Sequence, residues 1–401
     1  MALLPVADAL AMILKEAGPT GSETVGLLEA AGRVLAAPLA ATLTQPPFDA
    51  SAMDGYAVRA VDAATVPARL QVIGEAAAGH GFSGSIGAGQ AVRIFTGAPV
   101  PPGADAIVIQ EDTERDGDIV VVKEAAKPKA HIRTRGFDFR EGEPLLAVGT
   151  RLATRHVTLA AAMGHARLPV RRRPVVAILA TGDELVEPGT RPGPNQIVCS
   201  NSYGIATMVM AAGGEARILP IARDTRADLD RRMAEAADAD VLVTIGGASV
   251  GDHDLIAPAL KARGVGLDFW KIAMRPGKPL MFGRQGTQRV LGLPGNPVSS
   301  LICGRVFLVP LIGRLLGLPD EASDTVRARV AVPLEANGVR QHYMRAILEP
   351  SAGGIPVARP VRSQDSSLLS PLAEAGALIV RAVDAPPVEA GSEIEVLRID
   401  F

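Results

Sequence analysis

The chain has 401 residues, more than the roughly 100–200 that a single hydrophobic core serves, so two to four domains are expected. Apolar residues make up 48%, ample for globular folding, and a net charge of −2 without a long Lys/Arg block excludes a general nucleic-acid binder but not a local basic pocket. Two cysteines, Cys199 and Cys303, argue against a disulfide framework or a cysteine zinc site, and both read as buried apolar fillers.

Residues 5–17 read as a helix, with Val6, Ala9, Leu10, Ile13 and Leu14 on one face. A second helix is expected over about 24–37, followed by an irregular stretch from Gln45 to Tyr56. From about 68 to 135 the chain turns to short alternating runs broken by Gly and Pro, such as Leu70–Ile73 and Ile119–Val122, which predicts a small all-β module. Residues 140–170 mix turns with one apolar helix, Val157 to Met163. The run Arg171-Arg172-Arg173-Pro174 reads as a solvated linker and a boundary. Beyond it come strand Val175–Ala180, helix 201–212, strand Ala216–Ile221, helix 226–237, strand Val241–Ile245 and helix 254–263. This βαβαβα order predicts a parallel sheet with helices on both faces. Thr225 opens the 226–237 helix with Asp228 where a capping box usually has Glu. A long apolar helix runs from Val298 to about Leu316, with Asn296 at the N-cap and Pro297 in its first turn. From about 320 the pattern returns to strands, Val326–Val330 and Glu393–Leu397 among them, for a second small β domain. The first residues lack a basic n-region, and the most apolar stretch, Leu301 to Leu318, is interrupted by Arg305 and Arg314. A soluble, cytoplasmic protein is expected.

The chemistry concentrates at the strand ends. Strand Val241–Ile245 runs into Gly246-Gly247-Ala248-Ser249-Val250-Gly251-Asp252-His253-Asp254. Glycines let the backbone approach a ligand, their N–H groups can cradle an anion, and Asp252 and Asp254 can hold Mg²⁺ against it. His253 lies between these ligands and is expected to point away. Arg275-Pro276-Gly277-Lys278-Pro279 adds two fixed cations on a stiff backbone. Leu293-Pro294-Gly295-Asn296-Pro297 places a helix N-terminus, a natural anion seat, at the next strand end. Thr181-Gly182-Asp183-Glu184-Leu185 ends the first strand of the same sheet; its two acids can ligate a metal, accept a hydroxyl bond or act as a base. Asp224 suits helix capping as well as metal binding. Asp54 before Gly55 reads locally as a turn residue. No histidine pair has zinc spacing, and Walker A, Rossmann and Gly-x-Ser-x-Gly motifs are absent.

Seven motifs in order carry a resemblance that spans essentially the whole chain. They are Ser51-Ala52-Met53-Asp54-Gly55-Tyr56-Ala57, Thr96-Gly97-Ala98-Pro99, Thr181-Gly182-Asp183-Glu184-Leu185, Gly246-Gly247, Ser249-Val250-Gly251-Asp252, Pro276-Gly277-Lys278-Pro279 and Leu293-Pro294-Gly295-Asn296-Pro297-Val298-Ser299. The chain resembles the MoeA family of molybdopterin molybdenumtransferases, to which the C-terminal region of gephyrin is also similar. The resemblance implies a multidomain α/β plus β fold. An elongated helical region would span 1–45 and 136–170, with an inserted β domain at 46–135. A doubly wound α/β domain similar to the preceding adenylyltransferase (MogA-like) would span 171–318, and a barrel-like β domain 319–401.

The implied reaction takes adenylylated molybdopterin and molybdate as substrates, requires Mg²⁺, releases AMP and leaves molybdenum on the pterin dithiolene. The implied working form is a homodimer with its cleft between subunits. The adenylyltransferase and molybdoenzyme apoproteins are the implied partners, without nucleic acid or membrane. Asp54, Asp138, Asp183, Glu184 and Asp254 become the catalytic candidates; Asp224, Asp252 and Asp254 the metal candidates. Substrate contacts are expected from Thr96, Thr181, Gly246, Gly247, Ser249, Gly251, Lys271, Arg275, Lys278, Pro294, Gly295, Asn296, Pro297, Ser299, Arg345 and Ser366. Molybdate is expected at Lys278, Ser299, Arg345 and Ser366. Three positions depart from the family pattern: Arg275 stands where Lys is usual, Phe137 where an acid is usual, and Ala248 where Val is usual. Two rival readings share these features: the adenylylation step itself, and a non-catalytic scaffold or cofactor carrier.

Overall fold

The computed structural model describes residues 3–247, 255–319 and 324–399. Asp252, Asp254, Ser249 and Gly251, with His253 between them, lie outside the described residues. The chain divides into two compact units. One comprises Met1–Glu23, Gly32–Ala36 and Pro169–Phe401; the other comprises Thr24–Ala31 and Ala37–Leu168.

The first unit holds the α/β sheet. Its six strands run in the order Glu215–Ile218, Val175–Ala180, Val241–Ile245, Gln288–Leu293, Met281–Gln285, Gly266–Phe269. The first four are mutually parallel and the last two antiparallel, so the expected parallel sheet carries a hairpin edge. Period-two alternation explains its two covered faces. Val176, Ile178, Val243 and Leu291 pack on one side with helix Asn201–Ala212 and the long C-terminal helix. Ala177, Leu179, Leu242 and Val290 pack on the other with helices Arg226–Glu235 and Ile256–Ala262. The N-terminal helix Val6–Leu14 inserts Val6, Ala9 and Ile13 into the first of these cores.

The expected 298–316 helix is present as α-helix Pro297–Cys303, a π segment Gly304–Leu308 and α-helix Val309–Leu315. Pro310 lacks an N–H and crowds the carbonyl four residues back, and the wider π turn accommodates it. By length and composition this is the one helix among the described residues that could cross a membrane, yet 67% of its apolar window is buried within the protein.

The C-terminal region is a closed five-stranded barrel. Thr325–Val330, Glu393–Arg398, Ala377–Arg381, Gln341–Glu349 and Val357–Pro360 pair in turn, and Val357–Pro360 closes back on Thr325–Val330 in parallel. Small residues fill the interior, with Ala328, Ala346, Ala358 and Ala377 packed against Ile379 and Val396. The short strand Met274–Arg275 joins the barrel beside Gln341–His342.

The second unit holds the expected all-β module. Its sheet runs Ala106–Ile109, Gly55–Val58, Gln90–Ile94, Ala68–Ala76, Ile119–Val122, Thr113–Asp116. Gly55 lies so close to its neighbour strand that a Cβ there would overlap the Val108 carbonyl oxygen. Gly55→Ala is therefore expected to destabilise this module by about 3 kcal/mol, read as a lower urea midpoint.

One expected element does not form. The helix over 24–37 is replaced by strand Ser22–Gly26 and turns. β-branched Thr24 and Val25 favour extended backbone, and Gly26 and Gly32 interrupt any helical run. Helices in the region expected to be helical are Val6–Leu14 and Thr154–Ala162.

Candidate active site

The four parallel strands deliver their carboxyl ends to one edge, where a cleft of about 570 Å³ opens. This is the usual ligand position in an open α/β sheet. Thr181, Gly182, Glu184, Asp224, Gly246, Gly247 and the loop Pro294-Gly295-Asn296-Pro297 line it. Strand ends that are far apart in sequence therefore meet at one place.

The acids sit on the sheet edge. Thr181 is buried, takes its position from an N–H bond to the Ile245 carbonyl (3.2 Å), and donates through Oγ1 to Asp224 Oδ1 at 3.0 Å. Asp183 and Asp224 cross-brace one another: each backbone N–H points at the other's carboxylate, both at 3.4 Å. Two exposed carboxylates are thereby fixed side by side. Glu184 folds back over Gly182 so closely that a Cβ at Gly182 would overlap its carboxylate. Among the described residues no group of three or more His, Cys, Asp or Glu converges as a complete metal cage. The expected partners Asp252 and Asp254 fall outside them.

Glycine turns and helix starts form the dipole side of the cleft, while Lys271, Arg275 and Lys278 are not among its lining residues. Gly246 has φ +95°, and a Cβ there would come to 3.0 Å from the Thr181 carbonyl oxygen, so only glycine permits this approach. Helix Asn201–Ala212 starts at the cleft, and Asn201 Nδ2 donates to the Gly295 carbonyl at 2.8 Å. Asn296 occupies the N-cap position of the next helix and Pro297 its first turn, as expected. The Asn296 amide does not cap its own helix, however; it donates to Ser366 Oγ at 3.2 Å. Val298 N–H donates to the Ser366 carbonyl at 3.1 Å, so a barrel loop covers this helix start. Lys271, Arg275 and Lys278 are exposed, and none pairs with a described acid. Pro279 of the same loop lines the cleft. Beneath the loop, Cys303 packs against Gly277 where a Cβ would overlap its sulfur, and burial pushes the Cys303 thiol up.

Two residues expected at an anion are buried. Arg345 is only 1% exposed, and its guanidinium donates to the carbonyls of Leu368, Ser363 and Asp365 at 2.8–2.9 Å. These bonds shape the loop that carries Ser366. Ser299 is also buried, in the first turn of its helix.

The other catalytic candidates lie in the second unit. Asp54 Oδ1 accepts from both the backbone N–H and the hydroxyl of Thr96, each at 2.7 Å. The backbone bond, then the hydroxyl, hold its carboxyl below the usual range. Asp138 is exposed and anchored by its N–H to the Gln45 carbonyl at 3.0 Å.

The chain matches the MoeA N-terminal region (domain I and II) over residues 4–164, a "Probable molybdopterin binding domain" over 177–314 and the MoeA C-terminal region (domain IV) over 327–399. It is 36% identical over 387 residues to a molybdopterin molybdenumtransferase of Nostoc sp., covering 94% of this chain and 89% of that protein. The chain belongs to the MoeA family. Molybdopterin molybdenumtransferase 2 of Mycobacterium tuberculosis is 38% identical, covering 93% of this chain and 94% of its own length. A MoeA structure from Pyrococcus horikoshii superposes with a TM-score of 0.85 at 28% identity, covering 99% of this chain and 100% of that one.

Within this MoeA chain, sequence reasoning missed one wall of the cleft. Ile197, Val198, Ser200 and Asn201 line it, and Ile197 and Val198 are 59% and 40% exposed. They sit on a small parallel ribbon, Leu185–Val186 with Ile197–Val198, ahead of the helix. The signal was the Pro/Gly-rich run at 188–194 leading into Ser200-Asn201, a loop followed by a helix start.

The barrel beside the Lys278 loop holds two groups with large shifts, Tyr343, which burial pushes up, and His342. Burial, then the neighbouring Arg275, Arg340 and Arg381, push His342 down to about 4. Its ordinary value is 6.5, so between these pH values the unfolded chain binds a proton that the folded chain refuses. Stability is thus complete above about pH 6.5 and falls as pH drops toward 4. The expected loss is about 2 kcal/mol after solvent screening at the barrel rim. His342→Gln should flatten that dependence, measured as denaturation midpoints at neutral and acid pH.

Proposed function

We propose that this chain inserts molybdate into adenylylated molybdopterin, releasing AMP in an Mg²⁺-dependent reaction. The observation that carries this reading is the braced Thr181–Asp183–Asp224 group facing two helix N-termini across one cleft. The relatives' name, molybdopterin molybdenumtransferase, supports the same reaction class.

The division of labour follows from charge. Substrate phosphates and molybdate are all anionic and repel one another, so a productive site needs cations and N–H dipoles. Lys278, Lys271 and Arg275 provide fixed charge. The glycine turn at 246–247 and the helix starts at Asn201 and Pro297 provide dipoles that need no reorganisation. Asp183 and Asp224 fit Mg²⁺, which commonly takes one or two carboxylates and completes its shell with water and phosphate oxygens. When bound, the ion supplies Lewis-acid polarisation of the scissile phosphoryl group. Glu184, folded over Gly182 beside them, is placed to orient substrate or take a proton. Asn296 and Ser366 hold the barrel loop against the helix that receives the anion. The working form in this proposal is a cytoplasmic homodimer.

A coupled assay tests this reading against a scaffold role. The doubly substituted Asp183→Asn/Glu184→Gln protein is expected to lose activation of an apo-molybdoenzyme supplied with adenylylated molybdopterin, molybdate and Mg²⁺. Full activation by that variant would replace the transferase with a carrier.

A further inference from the structure

One end of the C-terminal barrel gathers basic side chains, of which only Arg275 entered the reaction above. Inward-facing rows on two neighbouring strands lead to it. Met344 and Ala346 of Gln341–Glu349, with Ala377 and Ile379 of Ala377–Arg381, pack in the barrel interior. A strand alternates with period two, so the same rows end in His342 and Arg381. These two are direct cross-strand partners, and Arg275 of Met274–Arg275 is the partner of His342 on a second strand. Three basic residues therefore stand abreast on one face, about 5 Å apart from strand to strand. Arg340 precedes the strand, and its charge also acts on the His342 ring.

No acid balances this row. His342 and Arg381 are only 8% and 6% exposed, Arg340 is half-buried and Arg275 is exposed. Among the described residues none of the four forms an ion pair, and the His342 ring has no hydrogen-bond partner. Glu335 and Asp384, acids in the two loops over this end, are exposed and pair with none of the four. Like charges set directly opposite one another are destabilising, and a buried polar group without a partner is costly. Yet the frame is fixed. Arg381 Nη2 donates to the carbonyls of Glu335 at 3.2 Å, Ala385 at 3.4 Å and Pro386. Asn337 Nδ2 donates to the carbonyls of Arg340, Arg381 and Ala382 at 2.6–3.2 Å. An unpaired imidazole is thus held among arginines.

A small oxyanion would relieve both costs. It would accept from a His342 ring N–H and from the guanidinium groups, whose forked donors suit adjacent oxygens of one anion. The place is separate from the cleft, which none of the four residues lines. It is also separate from the Ser366 loop. His342 stands three positions from Arg345 on one strand, so the two side chains face opposite sides of the sheet, and Arg345 is the one that holds that loop. We propose that Arg275, Arg340, His342 and Arg381 form an anion site at the barrel end that binds a small tetrahedral oxyanion. Molybdate, sulfate and phosphate share the required shape and charge.

Isothermal titration of the full chain with sulfate, phosphate and molybdate in a chloride buffer tests this. Arg340→Ala is expected to weaken sulfate binding about 10-fold, the loss of one charged hydrogen bond, and Arg340→Lys to retain most of the affinity. Lys278→Ala should leave sulfate affinity unchanged. The His342 ring signals in NMR spectra, assigned by their absence in His342→Gln, should shift on sulfate addition in the unaltered protein and much less in Arg340→Ala. Unchanged melting temperatures without the anion would show that the variants are folded. Wild-type sulfate affinity in Arg340→Ala with His342 signals that ignore sulfate would overturn the proposal, as would loss of all sulfate binding in Lys278→Ala. A preference for molybdate would tie the site to the supply of the metal; equal or tighter binding of sulfate or phosphate would assign it to ordinary inorganic anions, and either supports the site. None of these readouts requires AMP release, so the site and the transferase reading stand or fall separately.

Discussion

Replacing Asp224 by asparagine is expected to lower turnover about 100-fold or more while leaving the fold intact. The substitution keeps the shape and still accepts the Thr181 hydroxyl bond, so the sheet edge should survive. What it removes is one of two carboxylate charges held side by side by the reciprocal Asp183–Asp224 contacts. A divalent ion that draws on only one or two protein carboxylates loses a large share of its charge compensation when one goes. Asp183→Asn should give a similar loss. The double variant should fall far short of the product of the two, because the residues act as a unit. Initial rates across a Mg²⁺ titration check this. Wild-type rates at ordinary Mg²⁺ would remove both acids from the chemistry.

The second large effect is expected at Lys278. Lys278→Ala should raise the KM for molybdate about 10- to 100-fold, the range set by losing one charged hydrogen bond to a charged ligand. The exposed ammonium sits on a loop fixed from two sides. Met274–Arg275 is paired to the barrel strand at Gln341–His342, and Gly277 packs on the Cys303 sulfur. Such a loop presents its charge without reordering on binding. Lys278→Arg keeps the charge but forks and reaches farther, so it should recover only part of the affinity. Rates measured across a molybdate series separate KM from kcat. An unchanged molybdate KM in Lys278→Ala would move the anion elsewhere.

The α/β sheet was legible because its signals are local. Val175–Ala180, Asn201–Ala212 and Val241–Ile245 form over the ranges that periodicity predicts. The helix expected at 24–37 failed because a few apolar residues mimicked a helical face across glycines and β-branched residues that do not support one. Barrel closure was out of reach locally: it depends on the pairing of Arg329 with Val357, which no short-range pattern encodes. The cleft was legible only through the βαβ order that puts these strand ends on one edge. Thr181, Asp224, Gly246 and Gly295 each sit in an ordinary-looking loop, and only the parallel order of the strands makes them neighbours. Thr225 illustrates a smaller limit. Its hydroxyl caps Asp228 N–H as expected, but Asp228 turns its carboxylate to the Arg223 N–H rather than closing the box. Arg345 shows what a matching position leaves out. A matching position suggested an anion contact, but it gave no sign of the burial and three carbonyl partners through which Arg345 holds the loop of Ser366.

The proposed reaction is molybdate-dependent cleavage of the pterin nucleotide in the cleft at the parallel strand ends. The most direct measurement is AMP release from adenylylated molybdopterin and Mg²⁺ by the purified protein, with and without molybdate, together with the molybdenum content of the pterin product. AMP release is expected to require molybdate, to match the metal gained and to fail in Asp224→Asn. Tight substrate binding without AMP release, or release that ignores molybdate, would contradict it.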